Sequence, residues 1–219
     1  YIQTSEDDWK DQTYFLFTID PQIIPHLLFP IGHLKKPEVR QIAEAKGLSV
    51  ARKKDSTGIC FVGDRGYDTF IKEHVDSSVL DTKKGLFKRY PDGKVMGDHD
   101  GIHLYTIGQS KGLGLTYHEK LFVVKIETET NTVWLGEEDH LFQTKLQVIE
   151  PHLLNDILDG EELYVKIRYQ HKGSKAKVMK NAEGYELQFQ EPQRAVTPGQ
   201  AAVFYRNQNI LVGGGWIKT

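Results

Sequence analysis

Apolar residues in the second half of the chain fall in short runs separated by turn residues, the pattern of strands rather than long helices. Residues 121–126 and 132–135 flank the polar stretch 127–131 and predict a hairpin. Further strands are expected over 163–169, 176–179, 185–189, 201–205 and 210–212, a spacing that suggests a small barrel or sandwich. Residues 1 to about 60 read instead as helical. Asp20 can cap a helix with Pro21 at its first position, and Lys36-Pro37-Glu38 opens another whose Val39, Ile42 and Ala43 precede a stop at Gly47. A further short helix is expected over 67–75. The N-terminal helices present apolar faces without the strands that would normally cover them, which suggests the tail end of a larger domain. A boundary is expected between residues 126 and 145.

Composition narrows the class. The 219 residues, 39% of them hydrophobic, suffice for one to three compact units. A net charge of −2 gives no whole-molecule attraction to nucleic acid, so any such affinity must come from a local patch. No apolar run is long enough for a membrane span, and the opening residues lack the pattern of a signal peptide. The single cysteine, Cys60, cannot form an internal disulfide; these features together point to a cytoplasmic protein.

Cys60 lies in Asp55-Ser56-Thr57-Gly58-Ile59-Cys60-Phe61-Val62-Gly63, with Arg52, Lys53 and Lys54 upstream. Flanking glycines allow close backbone approach, and the cations favour the thiolate. The same residues are compatible with a buried thiol packed beside Ile59 and Phe61. Asp55-Ser56-Thr57-Gly58 is not an aspartic protease loop, because Ser56 intervenes and no second such loop exists. His99 and His103 have a helical metal-ligand spacing, but Gly97 and Gly101 argue against a helix there, and no metal is expected.

A local excess of charge marks residues 163–182, which carry Lys166, Arg168, Lys172, Lys175, Lys177 and Lys180 and no acid. Alternation places Lys166, Arg168 and Gln170 on one strand face and Val165, Ile167 and Tyr169 on the other. Such a face could track a phosphate backbone, with Arg168 on phosphate and Tyr169 stacking, or it could simply be solvated. Gly199 in Thr197-Pro198-Gly199-Gln200 permits a tight turn that presents the Gln200 amide.

Taken in order, Lys10-Asp11-Gln12-Thr13-Tyr14-Phe15-Leu16, Phe29-Pro30-Ile31-Gly32, Lys36-Pro37-Glu38-Val39-Arg40, Lys54 to Phe61, Tyr105-Thr106-Ile107-Gly108-Gln109, Arg168-Tyr169, Thr197 to Gln200 and Gly213-Gly214-Gly215 resemble the MnmA/TrmU family of tRNA 2-thiouridylases. The resemblance implies an α+β chain in three pieces. These are residues 1–55 from the end of an α/β ATP-pyrophosphatase (PP-loop) domain, a small central domain over 56–128 carrying Cys60, and a C-terminal antiparallel β-barrel over 129–219 that grips tRNA. It also implies a reaction in which Mg-dependent ATP adenylates the 2-oxygen of a wobble uridine and a cysteine persulfide delivers sulfur to that carbon. Cys60 matches the persulfide position, a cysteine desulfurase or sulfur-relay protein would load it, and Lys10, Asp11, Gln12, Arg168, Tyr169 and Gln200 match the tRNA contacts. The family's S-G-G-x-D-S-S phosphate loop and first cysteine are absent from these residues, so no cofactor-binding residues are expected here, and Ser110 stands where the family usually has Arg. The rival reading is a stand-alone RNA-binding β-barrel protein without catalytic activity.

Overall fold

The computed structural model describes residues 1–53, 67–74, 84–116 and 119–218. They form two compact units, one of Tyr1–Lys53 with Gln143–Thr219 and one within Lys54–Phe142. The loop carrying Cys60 lies outside the described residues.

The first unit is built on a barrel of six antiparallel strands: β6 (Phe142–Leu153), β7 (Glu161–Lys166), β8 (Ser174–Asn181), β9 (Gly184–Arg194), β10 (Ala201–Arg206) and β11 (Ile210–Ile217). Their order is β11-β10-β7-β8-β9-β6, and β11 pairs back with β6 to close the ring. Closure removes the exposed strand edges that an open sheet would leave. The short β1 (Ile2–Gln3) adds to β11. Side chains from alternate positions fill the interior: Leu163, Val165 and Ile167 from one segment, Ala176 and Val178 from the next, then Leu187, Phe189, Ala202, Phe204 and Val212. Burying each large side chain contributes roughly 1.5–3 kcal/mol.

Strand β10 has no polar face, and the reason is tertiary. Ala202 and Phe204 point into the barrel, while Ala201, Val203 and Tyr205 pack outward against Ile2, Tyr14 and Phe17. The N-terminal segment thus covers the outer wall, so both faces of β10 are dry. The glycine run in β11 serves the same packing. A Cβ on Gly213 would lie 2.4 Å from the His152 carbonyl oxygen, and one on Gly214 would lie 2.6 Å from that of Ala202. Only glycine lets β11 lie this close to both β6 and β10.

The N-terminal residues are less helical than their pattern predicts. Their one α-helix, α1, is Lys36–Ala45; Thr13–Leu16 and Pro21–His26 are 3-10 turns, and residues 2–3 are strand. Apolar Ile2, Tyr14 and Phe17 are spent on the barrel wall instead of a helix–helix core. The local signals nevertheless act as expected. Asp20 accepts a hydrogen bond from the Gln22 amide at 2.9 Å, and Gly47, at φ 66°, ends α1. Val39, Ile42 and Ala43 of α1 are not buried.

The second unit holds α2 (Tyr67–His74) and a four-stranded sheet. Its strands are β2 (Gly85–Arg89), β3 (Val95–His99), β4 (Phe122–Glu127) and β5 (Thr132–Gly136), in the order β3-β2-β5-β4. The expected hairpin is β4–β5, with Asn131 at φ 47° in its turn. Both its strands belong to this unit, which extends to Phe142. The parallel pairing of β2 with β5 joins segments more than forty residues apart and has no local signal. Phe87, Leu121, Val123, Val133 and Leu135 form the core.

Candidate nucleic-acid interface

Asp11 organises the N-terminal side of the site. Its carboxylate is only 4% exposed, and it accepts hydrogen bonds from the Ser5 and Thr13 amides, both at 3.3 Å, and from the Thr13 hydroxyl at 2.7 Å. Lys166 of β7 completes the set at 3.4 Å, with its ammonium 4.9 Å from the centroid of the Tyr205 ring. A buried carboxylate held by this many donors is satisfied. The arrangement consumes the charge of Lys166, so Lys166 does not belong to an open phosphate-tracking face.

Strand β7 stops at Lys166, and the chain turns through an amide of His171 bonded to the Arg168 carbonyl at 3.0 Å. Strict alternation therefore fails beyond this point. Ile167 still enters the barrel, but Tyr169 swings to the outer wall, the opposite of its predicted side. There its hydroxyl accepts from the Gln12 amide at 2.6 Å. Its ring lies 4.8 Å from Phe15 and 6.2 Å from Tyr14. Two segments 157 residues apart thus meet through the residues that the sequence singles out.

Arg168 is exposed, and one guanidinium nitrogen is anchored to the Arg194 carbonyl at 3.2 Å. Lys10 is exposed two residues before Gln12. Gln200 is exposed in a turn closed by its own amide on the Thr197 carbonyl, and the next carbonyl, that of Ala201, accepts the Tyr14 hydroxyl at 3.0 Å. Lys10, Gln12, Arg168, Tyr169 and Gln200 therefore share the first unit; Gln12, Tyr169 and the backbone next to Gln200 are linked through Tyr14 and Tyr169, with Lys10 and Arg168 adjacent in the chain. Asp11 sits beneath them as a buried support.

The burial that builds this wall also changes its titration. Desolvation pushes the Tyr14 phenol up to about 12, opposed by its bond to Ala201 and by Arg168. Tyr205 is raised further, chiefly by burial. His171 is lowered, first by burial and then by the charge of Arg168. An aromatic support for the site was not legible as such, although Tyr14 and Phe15 stand inside the Lys10-to-Leu16 motif.

Other candidates fall elsewhere. His99 ends β3, and its Nδ1 accepts from the Gly101 amide at 3.1 Å, with the ring against Phe87 and Tyr105. His103 lies in the 3-10 turn Ile102–Leu104. Ser110 lines a cavity of about 260 Å³ in the second unit together with Gly112, Gly114, Glu119 and Lys120. Among the described residues no helix is long and apolar enough to cross a membrane.

Comparison with known proteins covers almost all of the chain. Residues 1–64 match a family described as the tRNA methyl transferase HUP domain, 68–137 the tRNA methyl transferase PRC-barrel domain, and 143–217 the aminomethyltransferase beta-barrel domain. The chain is 42% identical over 212 residues to a protein of Deinococcus radiodurans named tRNA-specific 2-thiouridylase MnmA, covering 95% of this chain and 54% of that one. Proteins of the same name from Clostridium acetobutylicum and Aquifex aeolicus are 41% and 38% identical, each covering 99% of this chain and 61% and 59% of their own lengths. The chain thus spans little more than half the length of these relatives. With three successive domain matches and some 40% identity along nearly its whole length, the chain belongs to the MnmA family of tRNA-specific 2-thiouridylases.

Proposed function

We propose that this chain is the tRNA-gripping and sulfur-carrying part of a tRNA 2-thiouridylase. The observation that carries the reading is the meeting of Gln12 with Tyr169, because it brings the Lys10-to-Gln12 and Arg168-Tyr169 motifs onto one wall. Exposed Arg168 and Lys10 suit phosphate, while Gln12, Tyr169 and Gln200 offer groups for bases or sugar. Asp11 contributes by holding Lys166 and Thr13, since its own oxygens are occupied.

In this reading residues 1–55 are the end of a PP-loop domain, the central domain begins at 56 and runs past the sequence-based limit of 128 to include the β4–β5 hairpin, and the tRNA-binding barrel is confined to the strands β6 to β11. Cys60 carries a persulfide loaded by a cysteine desulfurase or relay protein. Its terminal sulfur bonds to C2 of the activated uridine as the C–O bond breaks and the oxygen leaves with AMP; a second thiol then attacks the Cys60 sulfur, the S–S bond breaks with its electron pair going to the sulfur on C2, and Cys60 is left in a disulfide. Lys53 and Lys54, upstream in the sequence, would favour the sulfur anion, whereas Arg52 is paired with Glu44 at 3.0 Å. Activation of the uridine by ATP is not a task for these residues, which contain no S-G-G-x-D-S-S loop. A cytoplasmic setting suits a thiol that must cycle between reduced and persulfide forms.

Two measurements test the reading. Incubation with a cysteine desulfurase and cysteine, followed by mass spectrometry, is expected to add sulfur at Cys60. No adduct, even with the rest of a family member supplied, would leave the non-catalytic RNA-binding barrel as the better description. Arg168→Glu is expected to weaken tRNA binding and reduce its salt dependence, and unchanged binding would remove the tRNA assignment.

A further inference from the structure

Phe15 is an aromatic ring that the fold leaves 55% exposed, although its neighbours Tyr14 and Phe17 are buried at 5% and 4%. It stands at the edge of the barrel wall with its ring 4.8 Å from Tyr169 at an interplanar angle of 35°, and edge-on to Tyr14 at 5.4 Å. The Gln12–Tyr169 hydrogen bond, across segments far apart in sequence, locks the second ring in place. An exposed ring that already packs on two neighbours, one of them held by a hydrogen bond, has less side-chain freedom to lose when a ligand arrives.

The chemistry around the pair is that of a polyanion's partner. Arg168 precedes Tyr169, exposed Lys172 follows, and Lys10 lies upstream on the other segment. The one acid in these two runs, Asp11, is buried and paired with Lys166. The Gln12 amide and the Tyr169 hydroxyl add groups that can bond a base edge. A flat apolar face whose two segments carry exposed Arg168, Lys172 and Lys10 close by in the chain fits an unpaired nucleobase attached to phosphates better than it fits a peptide, whose apolar side chains bring no complementary charge.

We propose that Phe15, backed by Tyr169, is a stacking platform for an unpaired base of the bound RNA. This rests on the tRNA reading above and adds to it a contact that needs no charge. A stacked base is worth roughly 1–3 kcal/mol, so Phe15→Leu, which keeps apolar bulk but removes the π face, is expected to weaken binding about five- to 150-fold. Because no counterion is released by stacking, the salt dependence should stay as in the wild type, whereas Arg168→Glu lowers it. Phe15→Trp should retain binding, and its added indole fluorescence should be quenched when RNA binds.

The experiment titrates the 219-residue chain and the three variants with an unmodified tRNA transcript at several salt concentrations, with urea unfolding of each as a check on the fold. Weakened binding by Phe15→Leu at unchanged salt slope, with Phe15→Trp binding normally, supports the platform. If Arg168→Glu weakens binding while both Phe15 variants bind like the wild type, the platform is overturned and the tRNA reading stands. Equal losses by both Phe15 variants, in step with lowered urea midpoints, also overturn it, because Phe15 would then be only packing. Absence of any binding by the wild-type chain overturns the tRNA reading and the platform with it.

Discussion

The Lys166 ammonium lies 3.4 Å from the Asp11 carboxylate, across 155 residues of sequence, with only 17% and 3% of the two side chains exposed. Three further hydrogen bonds hold the same carboxylate, so the two partners are not equivalent. Asp11→Ala strands the Lys166 charge and frees the Ser5 and Thr13 donors, at an expected cost of about 3 kcal/mol. Lys166→Met leaves Asp11 three donors, so its cost should be smaller, about 1–2 kcal/mol. Urea unfolding of both variants checks the order, and a larger loss for Lys166→Met would contradict it.

Alkali should loosen the wall that Tyr14 builds. The Tyr14 phenol titrates near 12 in the folded chain against an ordinary 10, so the folded state holds its proton over a range where the unfolded state has lost it. That stabilisation is complete below about pH 10 and is lost as pH rises through about 12. Tyr205, also raised by burial, acts in the same direction. Urea midpoints should therefore fall above pH 10, and less steeply in Tyr14→Phe.

Acid should act through His171. Its ring is largely desolvated beside Arg168, so its folded value lies below the usual 6.5 and the folded state favours the neutral imidazole. The stabilisation is present above pH 6.5 and is lost as pH falls through the lowered folded value. A His171→Gln variant should show a flatter stability profile on the acid side of 6.5, measured by urea unfolding across that range.

Gly214→Ala tests the closing seam of the barrel. The added methyl would meet the Ala202 carbonyl oxygen at 2.6 Å and the Val203 Cα at 3.1 Å, both backbone atoms that cannot rotate away. Separation of β10 from β11 is expected to cost about 1–3 kcal/mol. A midpoint unchanged from the wild type would show that the strands can part freely.

The local chemistry of the chain determined a good deal alone. Asp20 beside Pro21, Gly47 after α1, and the polar turn between β4 and β5 act over a few residues, and each local signal has its expected effect. The strands β8, β9, β10 and β11 were likewise marked by their apolar runs, although β8, β9 and β11 extend well beyond them. Polar-rich β6 offers only the short alternation Leu146-Gln147-Val148, whose two apolar members enter the barrel core, and pairing with β9 and β11 sets the rest of its length. Tertiary structure alone decided that Asp11 is buried, that Lys166 is neutralised, and that Tyr169 turns to the wall bearing Tyr14 and Phe15. Each of these depends on contacts between residues more than 150 positions apart. Periodicity records which face of a single segment is apolar, but not which distant segment will come to cover it.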